Sequence, residues 1–272
     1  MPPRPSGAEG PGFKDVAPYG GLETRCAELS MKRLAITILP FLLLATSCVA
    51  VFPFDGIVGN GKVITSSLDA RNFTAVKNYS SAKVIVRRGT VAMATVTVDE
   101  NILEALDIKV DNGSLNISTK PGKSIMRYST FKVTVTMPLV EEFGIYGSGE
   151  ITASDRFGGD TVKLAIHGSG GINGSFDAEK IDAYIGGSGG IDVAGTTGKL
   201  VAMVAGSGSI AGDSLTADDA LVSINGSGSA SLRVHELLDA RIYGSGSINY
   251  YGSPARLTMI DAGSGQIRQI SR

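Results

Sequence analysis

Few residues in this chain have the type and spacing to do chemistry. Gly186-Gly187-Ser188-Gly189-Gly190 has the Gly-x-Ser-x-Gly pattern that presents a nucleophilic serine in hydrolases. That pattern works only on a sharp strand-to-helix turn with histidine and carboxylate partners. Here it is one of several like glycine-serine turns, and the residues read as a turn. The only histidines are His167 and His235. A two-histidine metal site would need them side by side with carboxylates, and a long stretch of chain separates them. Asp218-Asp219 makes no paired-carboxylate site either, because adjacent strand residues face opposite sides. Gly195-Thr196-Thr197-Gly198-Lys199 runs into Leu200 and lacks the first spaced glycine of a phosphate loop. The expectation is a protein that is not an enzyme, with no metal and no cofactor.

What remains as a candidate binding surface is tyrosine. Tyr146 and Tyr243 stand just before glycine-serine turns, Tyr184 lies one face over, and Tyr250-Tyr251 follow a turn. Exposed tyrosines on a rigid sheet can stack on sugar rings or anchor a partner protein. With a formal net charge of -1, nothing points to nucleic acid as a partner. The charge is unevenly shared. Residues 62–140 hold 11 Lys and Arg against 6 Asp and Glu, and residues 141–272 hold 9 against 15.

The elements that must carry these residues are set by a triplet that returns seven times. It stands at Gly147-Ser148-Gly149, Gly168-Ser169-Gly170, Gly187-Ser188-Gly189, Gly206-Ser207-Gly208, Gly226-Ser227-Gly228, Gly244-Ser245-Gly246 and Gly263-Ser264-Gly265. Successive first glycines are 21, 19, 19, 20, 18 and 19 residues apart, a period that marks a stacked repeat. Two residues before the triplets stand Ile145, Ile166, Ile185, Val204, Ile224, Ile242 and Asp261. Four residues before them stand Phe143, Leu164, Ala183, Ala202, Val222, Ala240 and Met259. The residue between is variable, which is the period-two pattern of a strand with one buried face. Each coil reads as strand, corner, strand and a looser return. Glycine suits the corners by reaching positive φ and by letting successive corners stack closely. The whole predicts a parallel β-helix, an all-β solenoid with coils of about 19 residues. An up-and-down antiparallel sheet is the alternative, but it would not need the same residues at the same place in every coil.

Residues 62–140 are expected to form a β-rich N-terminal part of the same domain. Asn112-Gly113 between two alternating runs signals a hairpin, and Asp99-Glu100-Asn101 suits the start of a short helical turn. Further upstream, Met31-Lys32-Arg33 leads into the apolar run Leu34 to Leu44 and then Ala45-Thr46-Ser47-Cys48. A positive start, a short apolar core and small residues before a cleavage point make a secretory signal. The small residues before Cys48 are similar to the lipobox of bacterial lipoproteins, although Ala45 stands where leucine is preferred. Residues 1–30 then read as a leader ahead of the true start, 31–47 as the signal peptide, Cys48 as the lipidated residue and 48–61 as a tether. Membrane contact through Cys48 is expected. Cys26 is the only other cysteine, so no disulfide framework is possible in the exported chain.

The order of these segments carries a resemblance. Asp69 to Phe73, Val96 to Leu103, Asn112 to Ile117, Val133 to Pro138 and the repeated Gly-Ser-Gly, with Gly171-Ile172-Asn173, together resemble the bacterial DUF2807 family, labelled "putative auto-transporter adhesin, head GIN domain". The resemblance covers residues 62–270 and implies an exported β-solenoid, commonly a lipoprotein, with no catalytic residues to carry over. The expected function is that of a lipid-anchored cell-envelope solenoid in the outer membrane, adhesive or structural. A carbohydrate-binding or polysaccharide-active solenoid is the alternative. Glycans, envelope proteins and a second copy of the chain are the expected partners.

Overall fold

The computed structural model describes residues 56–271. The leader, the signal peptide, Cys26 and Cys48 lie outside the described residues. The described chain is nearly all strand and forms a β-solenoid of about 7 turns. Its core coils are β10 (Glu142–Ile145), β11 (Glu150–Ile166), β12 (Gly171–Ile185), β13 (Gly190–Val204), β14 (Ser209–Gly226), β15 (Ser229–Gly244), β16 (Ser247–Tyr251), β17 (Arg256–Asp261) and β18 (Gln266–Gln269). Successive coils pair in parallel, as Ile166↔Ile185 and Ile185↔Val204 show. The positions two before the first six triplets, Ile145 through Ile242, stack into the core, whereas Asp261 before the seventh is exposed. The spacing of 18 to 21 residues is absorbed in the return segments. Register shifts lie between Thr152 and Arg156, between Asp192 and Ala194, and between Gly212 and Thr216, which keeps every corner aligned.

The corner glycines are required by stacking more than by backbone angle. Of the seven triplets, only Gly226 and Gly244 have φ in the left-handed range, at 140° and 145°. A Cβ at any first glycine of a triplet would run into the backbone of the corner below. A Cβ at Gly208 would lie 2.6 Å from the Gly189 carbonyl oxygen and 2.6 Å from Ile185 Cγ2. The positive-φ explanation is therefore corrected for most corners. Hydrogen bonds hold the corners in line, with Ser207 N–H donating to Gly187 O at 3.2 Å and Ser209 N–H to Gly189 O at 3.1 Å.

The solenoid begins before the first triplet. β3 (Ala75–Asn78) and β4 (Lys83–Arg88) pair in parallel with β10 and β11, so residues 75–88 form one more coil beneath the first Gly-Ser-Gly coil. Its corner, Ser80-Ser81-Ala82, has no triplet. Asn78 builds it instead: fully buried, it donates to Ala82 O at 2.8 Å and accepts from Ser80 N–H at 3.0 Å. Between this coil and the next, the chain makes a partly antiparallel excursion that closes the end. It contains β5 (Met93–Asp99), the helical turn α1 (Glu100–Leu103), β6 (Leu106–Asp111), β7 (Ser114–Thr119), β8 (Ser124–Arg127) and β9 (Phe131–Met137). β7 and β9 pair in parallel with β3 and β4, while the β5–β9 and β6–β7 pairs are antiparallel. The β6–β7 hairpin turns at Asn112 and Gly113, with φ of 47° and 73°, the pair of positive angles a two-residue turn of this kind needs. β2 (Val63–Leu68) pairs antiparallel with β5. β1 (Gly56–Val58) pairs with β8, so the fold takes up the chain from Gly56, within the segment 48–61 expected as tether.

Asp99 does not cap α1 with its side chain. Its buried carboxylate accepts from Ser129 N–H at 2.7 Å, Ser129 Oγ at 2.8 Å and Gly61 N–H at 2.8 Å. The Ser129 amide first, with the other donors, holds the carboxyl below the ordinary aspartate range against the opposing effect of burial. It ties three loops together at the closed end.

Candidate functional site

The strand stretch entering each corner presents one outward face. Equivalent residues of neighbouring coils align there: Lys77, Gly144, Ala165, Tyr184, Met203, Ser223, Arg241 and Ile260 form one row by register. At the closed end this face carries an aromatic ladder. Tyr79 stacks on Tyr146 at 4.5 Å between centroids and 11° between planes, and Tyr146 stacks on His167 at 4.8 Å and 9°. His167 meets Tyr184 at 5.2 Å and 47°. Small neighbours make the room. A Cβ at Gly144 would lie 3.1 Å from the Tyr146 ring, and one at Gly186 would lie 2.8 Å from the Tyr184 hydroxyl. Tyr184 thus leans across Gly186 onto His167, on the same face as Tyr146 and not one face over.

The ladder corrects the idea that Tyr146 stacks on a sugar. Both of its ring faces are already covered, by Tyr79 and His167, and it offers only an edge and a hydroxyl. Burial first, and then neighbouring Tyr79, pushes that hydroxyl's pKa up. Tyr250 is also removed from the candidate surface. Only 5% exposed, it points into the core with Ile248. Tyr251 faces outward, and Arg233 lies over its ring at 5.3 Å. Tyr243, 46% exposed, is the candidate tyrosine that the structure leaves open. His167 and His235 are not brought together, and among the described residues no group of three or more His, Cys, Asp or Glu could hold a metal.

Farther along the same face, the outward positions turn apolar. Met203 and Leu221 stand exposed beside Tyr243, with Val201 paired to Leu221 by register. They rim a shallow hollow of about 340 Å³ floored by Ala202 and Val222. Arg241 and Asp239 close one side in a bidentate pair, with Nε to Oδ1 at 2.8 Å and Nη2 to Oδ2 at 2.7 Å. The Arg241 hydrogen bond pulls the Asp239 carboxyl below its ordinary range, and Asp239 in turn raises the guanidinium. Pairing leaves Arg241 held in place with its plane fixed. Met, Tyr and Arg around an apolar floor is the composition of an interface core rather than of an ordinary solvated face.

At the other end of the face, Lys77 and Glu142 pair at 3.1 Å. Burial pulls the Lys77 ammonium down, but Glu142 outweighs it and the net shift is upward. On the far side of the solenoid, Asp177 accepts from Thr196 Oγ1 at 2.8 Å and pairs with Arg156 at 3.2 Å. Thr196 first, then Arg156, lowers its carboxyl. These are partnered surface charges.

Met203, Leu221 and Tyr79 are functional-face residues that the sequence reading does not pick out. Period two places Val201, Met203 and Leu221 outward, so three apolar residues in outward slots are a readable signal. Tyr79 has none, because its corner lacks the triplet.

The family profile of DUF2807, "Putative auto-transporter adhesin, head GIN domain", matches residues 72–254. The chain belongs to this family. Comparison with curated proteins found no match. Among solved structures, a "putative adhesin" of Bacteroides fragilis is similar with a TM-score of 0.76 at 23% identity, over 79% of this chain and 100% of that one. A "putative lipid binding protein" of Parabacteroides distasonis is similar with a TM-score of 0.65 at 27% identity, over 79% and 99%. A "putative adhesin" of Parabacteroides merdae has a TM-score of 0.64 at 22% identity, over 80% and 100%. These likenesses agree with the solenoid built from the repeat.

Proposed function

We propose that this protein is an exported, lipid-anchored component of the bacterial cell envelope that acts as an adhesion module, binding a partner protein by surface contact without catalysis. The observation that carries the reading is the Met203–Leu221–Tyr243 patch with its fixed Arg241, standing on a face that stacked coils make rigid. Such a surface loses little conformational freedom on binding. Membership of an adhesin-labelled family supports the class of function. The segment Met31 to Cys48 supports export and anchoring, with the acyl chain on Cys48 and the solenoid held off the membrane.

One observation favours a glycan as the second reading: the open ring of Tyr243. Binding of residues 55–272 to a glycan array and to an array of envelope proteins separates the two. The expected result is saturable binding to a protein that is lost in the Met203→Ser, Leu221→Ser double variant. Binding to sugars that depends on Tyr243 alone would replace the first reading with the second. Binding to neither would overturn both.

A further inference from the structure

We infer that the C-terminal end of the solenoid is a docking surface for a second copy of this chain, the two copies joining end to end about a twofold axis through β17. The inference rests on the coil end and is independent of the front-face patch.

The last described coil is built like those before it, and among the described residues nothing stacks on it. By register Leu257, Met259 and Asp261 lie over Leu238, Ala240 and Ile242, which are fully buried. Leu257 and Met259 are 43% and 51% exposed. Among the described residues, β17 pairs only with β15 and β18 only with β16, so each presents a free main-chain edge. Asp261 in the usual isoleucine slot does not close this end; its carboxylate accepts from Gly263 N–H at 3.2 Å in its own turn. The tail from Gln266 to Arg268 continues as strand β18 instead of folding over as a cap. An open row of backbone donors and acceptors flanked by apolar side chains is satisfied by another strand.

The opposite end of the molecule is closed. The excursion's own Val96, Val98, Ile102 and Leu115 are fully buried there. On the face that carries β17, the edge strand at that end is β6, with Asp107, Lys109 and Asp111, charges that discourage strand addition; the other edge strand there, β2, is uncharged and lies in line with β18. Head-to-tail stacking would set β17 against the charged β6, whereas a contact between like ends sets β17 against a second β17. Such a contact is self-complementary and closes as a dimer.

The sequence of β17 selects the register. Two like ends meet antiparallel, and residues directly opposite each other share a side of the sheet. Inward Leu257 and Met259 must therefore meet inward positions, and the twofold falls on a residue. Centred on Met259, it would bury Asp261 of one copy against Leu257 of the other. Centred on Thr258, it sets Leu257 opposite Met259 of the second copy, Arg256 opposite Ile260, and Thr258 opposite itself. The second register buries the apolar pair and leaves both charges at the rim.

Residues 55–272 contain every described strand pair and core residue and no native cysteine, so this segment suits the test. Sedimentation equilibrium should give a dimer, and Met259→Lys should give a monomer with an unchanged circular dichroism spectrum. Under oxidation, Thr258→Cys should form a disulfide-linked dimer, because opposed Cα atoms about 4.5–5.5 Å apart suit a disulfide. Ser148→Cys, at a corner near the closed end, should not. Monomers at all concentrations, a dimer that survives Met259→Lys, or equal cross-linking of both cysteine variants would overturn the inference.

Discussion

Gly208→Ala should destabilise the solenoid, whereas Gly190→Ala should not. Neither glycine has φ in the left-handed range, so alanine can adopt both backbones and only space distinguishes them. A Cβ at Gly208 would sit 2.6 Å from Gly189 O and 2.6 Å from Ile185 Cγ2. Relief requires a shift of about 1 Å between two coils, at a level of overpacking that costs about 1–3 kcal/mol. Backbone contacts on the same corner would lengthen with it, including Gly208 N–H to Gly187 O at 3.2 Å, which puts the loss toward the upper end. A Cβ at Gly190 meets nothing nearer than Ser209 Oγ at 3.7 Å, and alanine there stiffens the unfolded chain slightly. For a chain of this size about 3 kcal/mol lowers Tm by roughly 6–12 °C. Thermal unfolding followed by circular dichroism should show that drop for Gly208→Ala, with Gly190→Ala unchanged or slightly higher. Equal shifts for the two would refute corner stacking as the reason for the triplets.

Ile185→Asp places an unpaired carboxylate in the continuous core and should cost more than about 4 kcal/mol, enough to unfold coils in a chevron or urea titration. Tyr146→Ala removes two stacked contacts worth about 0.5–1.5 kcal/mol each and should leave the fold intact. A reversal of that order would contradict the placement of both residues. Asp99, held below the ordinary aspartate pKa, gives stability that is present above the ordinary value and is lost as pH falls through the lower, folded-state value. Wild-type Tm should therefore decline below about pH 4, and Asp99→Asn should be less stable at neutral pH with a flatter acid profile; parallel profiles would sink this account. Cys48→Ser should abolish palmitate labelling and release the protein from the membrane fraction, and undiminished labelling would move the anchor elsewhere.

The triplet and its period make most of the solenoid legible, because one corner fixes which flanking residues stack inward on every coil. Asn112-Gly113 announces its hairpin in the same direct way. The first coil is hidden because Asn78 supports its corner through side-chain hydrogen bonds that leave no repeat in the sequence. Its partner coil also lies beyond a long, partly antiparallel excursion. Tyr250 faces the core, as the alternation from Ile248 already implies, and its neighbour Tyr251 alone faces outward. The ladder depends on a contact between coils, Tyr184 reaching over the space left by Gly186, and a single coil read by itself does not show it. The apolar patch is readable from parity, but its fixed Arg241 requires the pairing with Asp239 to be seen.

Adhesion through the front face is tested most directly by the binding isotherm of labelled residues 55–272 on intact cells of the producing organism, before and after protease shaving or periodate treatment. Saturable binding that is removed by shaving, survives periodate and falls at least about tenfold, the change of a single interface hot spot, in the Met203→Ser, Leu221→Ser variant is the predicted result. Binding that is non-saturable, or that persists undiminished in the variant, would contradict it.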